Sequence, residues 1–372
     1  MKRVSISEIV EKPVSGEWGN EAENSSDGIP VIRNTNFSDD GRIDLQDVAY
    51  RKISERKITK KKLKPGDIII EKSGGSENQP VGRVVYFDID DGKNYLFSNF
   101  TSALRPKDEV EPKYVHFALL HSYQRGGSEL FQNKTTGIRN LQLDRYLDKI
   151  DIPLPSLCEQ KKIVAKLDRA QRLIDIDREM LAKYDELIQS VFLEMFGDPV
   201  RNAKGWERKV FSKVFDITTG KLNANAAVED GKYPFFTCSR EISWIDNYAF
   251  DTEALLLAGN NASGDFNIKY YNGKFNAYQR TYVLTSEENY GFLKIALDYF
   301  LNQMKSDSIG TNTKYLTLTL LDRMKIPIPP IDLQNKFNDI ITKIDEEKRI
   351  VNQQQIKKSE ELFSSLVQGV FG

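Results

Sequence analysis

Apolar positions along the chain change period several times, and two long helical stretches dominate the pattern. Residues 159–196 contain neither Pro nor Gly, and Ile163, Leu167, Ala170, Ile174, Leu181, Tyr184, Ile188, Val191 and Met195 recur in alternating steps of three and four. That spacing predicts one helix of about five heptads with a coiled-coil seam, broken only by Asp177. Gly197 and Pro199 supply the stop. A second stripe through Phe337, Ile341, Ile344, Val351, Ile356, Phe363, Leu366 and Val370 predicts another helix, with a polar middle at 352–355. At about 1.5 Å per residue, each is roughly 55–60 Å long. Neither stripe is stable in water, and each is the natural partner of the other. Between them the periods are shorter. Residues 81–87 and 95–104 read as strands around the turn 88–94, and Ile68, Ile69 and Ile70 form a buried strand opened by Pro65-Gly66. Residues 112–124 and 290–304 read as helices, so each intervening part is α+β.

The pattern also repeats. IPLPSLCEQKKI (152–163) aligns with IPIPPIDLQNKF (326–337), and ELIQSVFLEMFG (186–197) with ELFSSLVQGVFG (361–372). Upstream, in the same order, GDIII (66–70) corresponds to EALLL (253–257), FSNFTSALRP (97–106) to NAYQRTYVLT (276–285), and TTGIRN (135–140) to IGTNTK (309–314). The chain is a tandem duplication with a period of about 175 residues, each copy a mixed domain followed by a long helix.

With 40% hydrophobic and 29% charged residues, the composition is that of an ordinary globular chain and not a disordered one. No apolar run reaches the roughly 18 residues needed to cross a bilayer, and MKRVSISEIVEK has no signal-peptide core, so a cytoplasmic location is expected. Cys158 and Cys238 form no CxxC, and His116 and His121, five apart on a helix, cannot make an i, i+4 metal pair. No metal site is expected. Gly259 and Gly264 have phosphate-loop spacing, but Asp265 stands where the lysine must be. Asp88, Asp90 and Asp91 before Gly92 miss the calcium-loop spacing and read as a hairpin turn. Asp67, Glu71 and Lys72 have the wrong spacing for a metal nuclease, and Asp67 lies in a turn. No G-x-S-x-G and no base-methyltransferase motif occurs. The expectation is a chain with no catalytic centre.

Binding remains. The net charge is −1, but Arg51, Lys52, Arg56, Lys57, Lys60, Lys61, Lys62 and Lys64 crowd into one stretch, read here as a loop that neutralises phosphates. Two polar loops follow matching strands. One offers Lys72, Ser73, Ser76, Asn78 and Gln79, and the other Asn260, Asn261 and Ser263, side chains able to pair with base edges. Lys134, Thr135, Arg139, Arg280 and Lys314 lie beside them in the repeat and are candidates for the nucleic-acid backbone.

The segment IPLPSLCEQKKIVAKLD, the long helix to VFLEMFGDP and the following KGWERKVFSKVFDITTGK resemble the specificity subunit of Type I restriction-modification enzymes. The likeness spans the whole chain and is most specific in the helices. Gly205, Trp206 and the Thr-Gly-Lys at 219–221 fit the start of a second variable domain. Asp332-Leu333 departs from the pattern, where the family has Glu before Gln334. The resemblance implies target-recognition domains at 1–155 and 199–329 and conserved helical spacers at 156–198 and 330–372. The spacers pair antiparallel through Ile163, Leu167, Ile174, Leu181, Tyr184, Ile188, Ile341, Ile344, Val351, Phe363 and Leu366. It also implies double-stranded DNA with a two-part site as ligand, two modification subunits carrying S-adenosylmethionine, and two motor-nuclease subunits as further partners. No cofactor is expected in this chain. The rival readings are a non-DNA two-domain coiled-coil adaptor, a self-contained nuclease or methyltransferase, and a related Type IIB-like system with a fused partner.

Overall fold

The repeat in the sequence reappears as a repeated topology. A computed structural model of the chain describes residues 2–76, 78–135 and 138–372, with Lys134 and Thr135 described by their backbone alone. Two compact units divide it: Met1–Ile176 with Ile356–Gly372, and Asp177–Gln355. The fold class is the one expected, a tandem duplication of α+β units with long helices.

In the first unit an antiparallel sheet runs Val14–Ser15, Thr101–Leu104, Ile68–Glu71, Val84–Tyr86. A second sheet runs Asn20–Glu21, Ala49–Lys52, Ile29–Ile32, Leu96–Phe97, its last pair parallel. In the second unit one six-stranded sheet holds the equivalents of both: Asp216–Thr219, Thr281–Thr285, Phe250–Ala258, Ile268–Ala277, Tyr233–Phe236, Ser243–Ile245. Its one parallel pair joins Phe235 to Asn276, as Val31 joins Leu96 in the first unit. The chain entry pairs with the strand before each long helix in both copies, Arg3–Ser5 with Asp151–Pro153 and Glu207–Val210 with Lys325–Ile328.

One buried glutamine per unit joins sheet, helix and spacer. Gln160 accepts from the amide of Glu111, the N-cap of helix Pro112–Gln124, at 2.9 Å, and donates to the Pro155 carbonyl at 2.9 Å. Gln334 accepts from the amide of Asn289, the N-cap of helix Tyr290–Asp307, at 3.0 Å, and donates to the Pro329 carbonyl at 2.8 Å. An N-cap amide and the proline carbonyl just before the spacer helix lie outside the regular hydrogen-bond ladders, and a side-chain amide satisfies both. That physical role explains the Pro-x-Pro…Gln pattern.

The helix Leu157–Phe196 is continuous, as its period requires. In the second unit its end packs on the start of the other helix. Phe196 and Phe192 meet Phe337 at 5.3 and 5.6 Å between rings, while Asp185 pairs with Lys348 at 2.6 Å, so the two segments run antiparallel. In the first unit Val164 and Leu167 share a core with Val367 and Phe371. Phe192 also stacks on Phe292 and Tyr299, so the end of this helix packs on the domain helix Tyr290–Asp307 as well as on the other spacer helix.

Several expectations need correcting. Residues 95–104 are two strands in different sheets, Leu96–Phe97 and Thr101–Leu104, because the amide and hydroxyl of Thr101 both turn back to the Ser98 carbonyl. The basic stretch is not a loop. It is the strand Ala49–Lys52 followed by the helix Glu55–Lys61, whose one buried residue, Ile58, is too little pattern to read. The second spacer is not one α-helix. Ile331–Ile350 and Lys357–Phe371 are joined by a π-helical turn, Val351–Ile356, where the polar run 352–355 offers no apolar face to hold α geometry. The division into two units cuts both helical stretches, between Ile176 and Asp177 and between Gln355 and Ile356.

Candidate nucleic-acid interface

The two polar loops are set by the same pair of backbone hydrogen bonds. In the first unit the Lys72 amide donates to the Phe100 carbonyl and the Leu141 amide to the Lys72 carbonyl, at 2.9 and 2.8 Å. In the second unit Gly259 donates to Arg280 and Leu316 to Gly259, at 2.8 and 2.9 Å. Each loop is thereby paired with the later segment that the repeat had placed beside it. Strand Ser73–Gly75 joins the hairpin of Gln132–Thr135 and Ile138–Leu141, and Asn260–Asn261 joins Lys314–Tyr315.

The contents of the two loops differ. In the first, Arg139 faces Gly75 across the ladder, the Ser73 hydroxyl bonds Asn140, and Ser76, Asn78 and Gln79 stand exposed on a turn closed by the Ser76 amide on the Gln79 carbonyl. Gly74 has φ +104°, a left-handed backbone conformation that favours glycine, with the Asn34 side-chain nitrogen packed where a Cβ would sit. The Lys72 ammonium donates to Ser15 at 2.9 Å, and burial, then the charge of Lys61, pushes its pKa below the ordinary lysine value. A nearby phosphate would reverse that shift. The candidate side chains Lys134 and Thr135 lie outside the described residues.

In the second loop the Asn261 side-chain oxygen accepts from the amide and hydroxyl of Ser263 and from the Asp265 amide, at 2.9, 2.9 and 3.1 Å. Asn261 therefore braces the loop with its oxygen, while Asn260 is half-buried and Ser263 exposed. Gly264, at φ +72°, lets the methylenes of Lys305 and Lys314 close over it. Arg280 is exposed, its guanidinium 5.8 Å from the Tyr315 ring.

The basic stretch divides in two. Arg51 lies 3.9 Å over the Trp18 ring, and Lys52 is 3.8 Å from Glu23. Lys57 and Lys61 both reach Glu17, at 3.0 and 3.1 Å, and their hydrogen bonds hold that carboxyl below the usual range. Arg56, Lys60, Lys62 and Lys64 are exposed and have no ion-pair partner among the described residues. Lys61 also bonds the Gly16 carbonyl, next to the Ser15 that receives Lys72, so this helix abuts the first loop.

Sequence reasoning missed the neighbours that fold onto these loops. Asn34 donates to Glu71 at 2.8 Å; Arg240 reaches Asp265 at 2.7 Å; Lys269 bonds Asn267 and the Ser239 carbonyl. Apart from Asn267, two residues before Lys269, their partners are 25 or more residues away in the chain, and only the strand-to-loop repeat after Ile29–Ile32 and Tyr233–Phe236 hints at them. The carboxylates with the wrong spacing for a nuclease have structural partners: Asp67 closes its turn with its amide on the Lys64 carbonyl while its carboxylate is buried against Arg105 at 2.8 Å, and Glu71 is buried against Arg83 at 2.9 Å. Among the described residues no group of three or more His, Cys, Asp or Glu is placed to hold a metal, and no helix is long and apolar enough to cross a membrane. A cavity of about 950 Å³ in the second unit is lined by Asp185, Glu253, Glu287, Glu288, Asp298 and Asp345 against Lys294 and Lys348, the wrong sign for a phosphate backbone.

The two units thus share one frame and carry differently decorated polar loops at equivalent points, the arrangement of a duplicated binding module. Comparison with known proteins makes this specific. Residues 1–183 and 203–360 match the Type I restriction modification DNA specificity domain, and the chain belongs to that family. It is 57% identical over 79 residues to the Type I restriction enzyme EcoDI specificity subunit of Escherichia coli, a match covering 21% of this chain and 17% of that relative. It is 25% identical over 369 residues to the MjaIX specificity subunit of Methanocaldococcus jannaschii, covering 84% of this chain and 81% of that one. Its fold is similar to the crystal structure of a Type I restriction-modification S subunit from M. genitalium, with TM-score 0.53, 20% identity, and 100% and 96% of the two chains covered. It is likewise similar to a chain from a study of complex assembly and conformational transition in the type I R-M system, with TM-score 0.54, 16% identity, and coverage of 100% and 97%.

Proposed function

We propose that this chain is the non-catalytic DNA-reading subunit of a Type I restriction-modification complex, and that it binds a two-part duplex site with one half-site per unit. The observation that carries the reading is the pair of equivalent hydrogen bonds from Lys72 and Gly259. They set a Ser/Asn-bearing loop at the same point of both folds while leaving the side chains free to differ. A shared frame with divergent side chains suits two readers of unlike sequences, with exposed cations setting position and loop side chains setting bases. The helices act as the spacer that fixes the gap between half-sites. Two modification subunits dock on the helical regions, carry S-adenosylmethionine and methylate an adenine in each half-site; two motor-nuclease subunits complete the restricting form. The chain works where the chromosome is, in the cytoplasm. A duplicated adaptor would share the same loop frame, so it is family membership that disfavours the adaptor reading.

Filter binding of random-sequence duplex, by the chain with and without its modification subunit, tests the proposal. Salt-dependent retention that sharpens onto one sequence when the partner is added is the predicted result. No retention in either state would return the chain to the adaptor class.

A further inference from the structure

We propose that Arg240 reads a guanine in the half-site of the second unit and that Asp265 is its positioning residue; this rests on the DNA-reading function above. The Arg240 guanidinium donates through Nε and Nη2 to one oxygen of Asp265, at 3.2 and 2.7 Å. Asp265 in turn is held by its amide on the Asn261 side chain, inside the braced loop. Nε and one Nη2 hydrogen are thus committed, and the outer Nη1/Nη2 edge presents two parallel N–H groups. That fork matches O6 and N7 of guanine in the major groove, the commonest arginine–base contact. A carboxylate on the inner edge fixes the plane of the fork and so lowers the ordering cost of forming both bonds.

Two features separate this pair from a buried structural ion pair and from a phosphate clamp. The pair is open to solvent, with side-chain exposures of 70% and 54%, and such pairs contribute little to stability. The pair is also neutral as a unit, and Asp265 would repel a phosphate brought to the same spot. Backbone clamping instead falls to the cations around it. Lys305 and Lys314 close over Gly264, Arg280 is exposed beside Tyr315, and Lys269 anchors the Ser239 carbonyl next to Arg240. The carboxylate that rules out a nucleotide loop therefore has a use of its own.

The test is the methylation motif of the complete complex, mapped by sequencing, for the native chain and for Arg240→Ala, Arg240→Lys and Asp265→Asn, alongside melting temperature and the salt slope of binding. The expected result for Arg240→Ala is a motif intact except at one G·C pair of one half-site, where discrimination falls about tenfold or more. Melting temperature and salt slope stay unchanged, Asp265→Asn shows a smaller loss at the same pair, and Arg240→Lys fails to restore it. An unaltered motif overturns the proposal. So does an equal weakening on all sequences with a salt slope lower by about one, the mark of a phosphate contact. If Arg240→Ala lowers the melting temperature, Asp265→Asn decides the matter: relaxation at a single pair supports the proposal and loss of the whole half-site overturns it. A native complex that methylates no defined motif would instead sink the underlying function.

Discussion

At the scale of single residues, two side chains make the physics measurable. His116 is 3% exposed among Tyr86, Phe117 and Gly41, and burial, with the charge of Lys113, drives its pKa from an ordinary 6.5 to about 3. Between those values the unfolded chain binds a proton that the folded chain refuses, so stability falls as pH falls through that window. At pH 5 the loss is about 2 kcal/mol relative to pH 8. His116→Gln should flatten this part of the acid limb in denaturant titrations whatever it does to absolute stability, and an unchanged slope would place the proton elsewhere. The exposed cations are the second case. Replacing Arg56, Lys60 and Lys62 by Gln should weaken binding to all duplexes and lower the salt slope by about 0.9 per lost phosphate contact. Replacing Lys57 and Lys61, already shared with Glu17, should lower it less. Equal effects would mean that Glu17 releases both lysines on binding.

At the scale of elements, the buried glutamines matter more than polar positions in an apolar pattern suggest. Gln160→Leu or Gln334→Leu strands an N-cap amide and the carbonyl of Pro155 or Pro329, at a cost of about 2–4 kcal/mol for each variant. Phe192→Ala, at the junction of Phe292, Tyr299 and Phe337, should cost about 3–5 kcal/mol. Thermal or denaturant melts check both, and losses below about 1 kcal/mol would show the contacts to be dispensable. Where one period dominates, elements were legible: Leu157–Phe196, whose stripe is broken only at Asp177, Pro112–Gln124 and Ile68–Glu71 follow directly from apolar spacing. Where tertiary contacts decide, they were not. The helix Glu55–Lys61 has one buried residue, and the break at Asn99-Phe100 depends on Thr101 reaching back to Ser98. Phe192 and Phe196 fell beside the predicted seam because they face a domain helix as well as a spacer. The candidate loops were legible as matching positions in a repeat, whereas Arg240 was not, since its meaning depends on Asp265, twenty-five residues away.

For the whole molecule, duplication is the fact from which the rest follows. Two copies of one frame, each closed by a Pro-x-Pro…Gln joint, can hold different loops without disturbing one another, because loop and joint are fixed by separate hydrogen bonds. If the helices set the gap, removing one heptad from Leu157–Phe196 should change the permitted gap or abolish modification while leaving each half-site sequence alone. An unchanged gap would end the spacer account. The most direct measurement is sequencing of methylated adenines across the source genome, with and without this gene. The account predicts a two-part motif, its halves unlike and separated by a fixed run of unspecified bases, that disappears with the gene. A motif that persists, or one that is continuous, would contradict it.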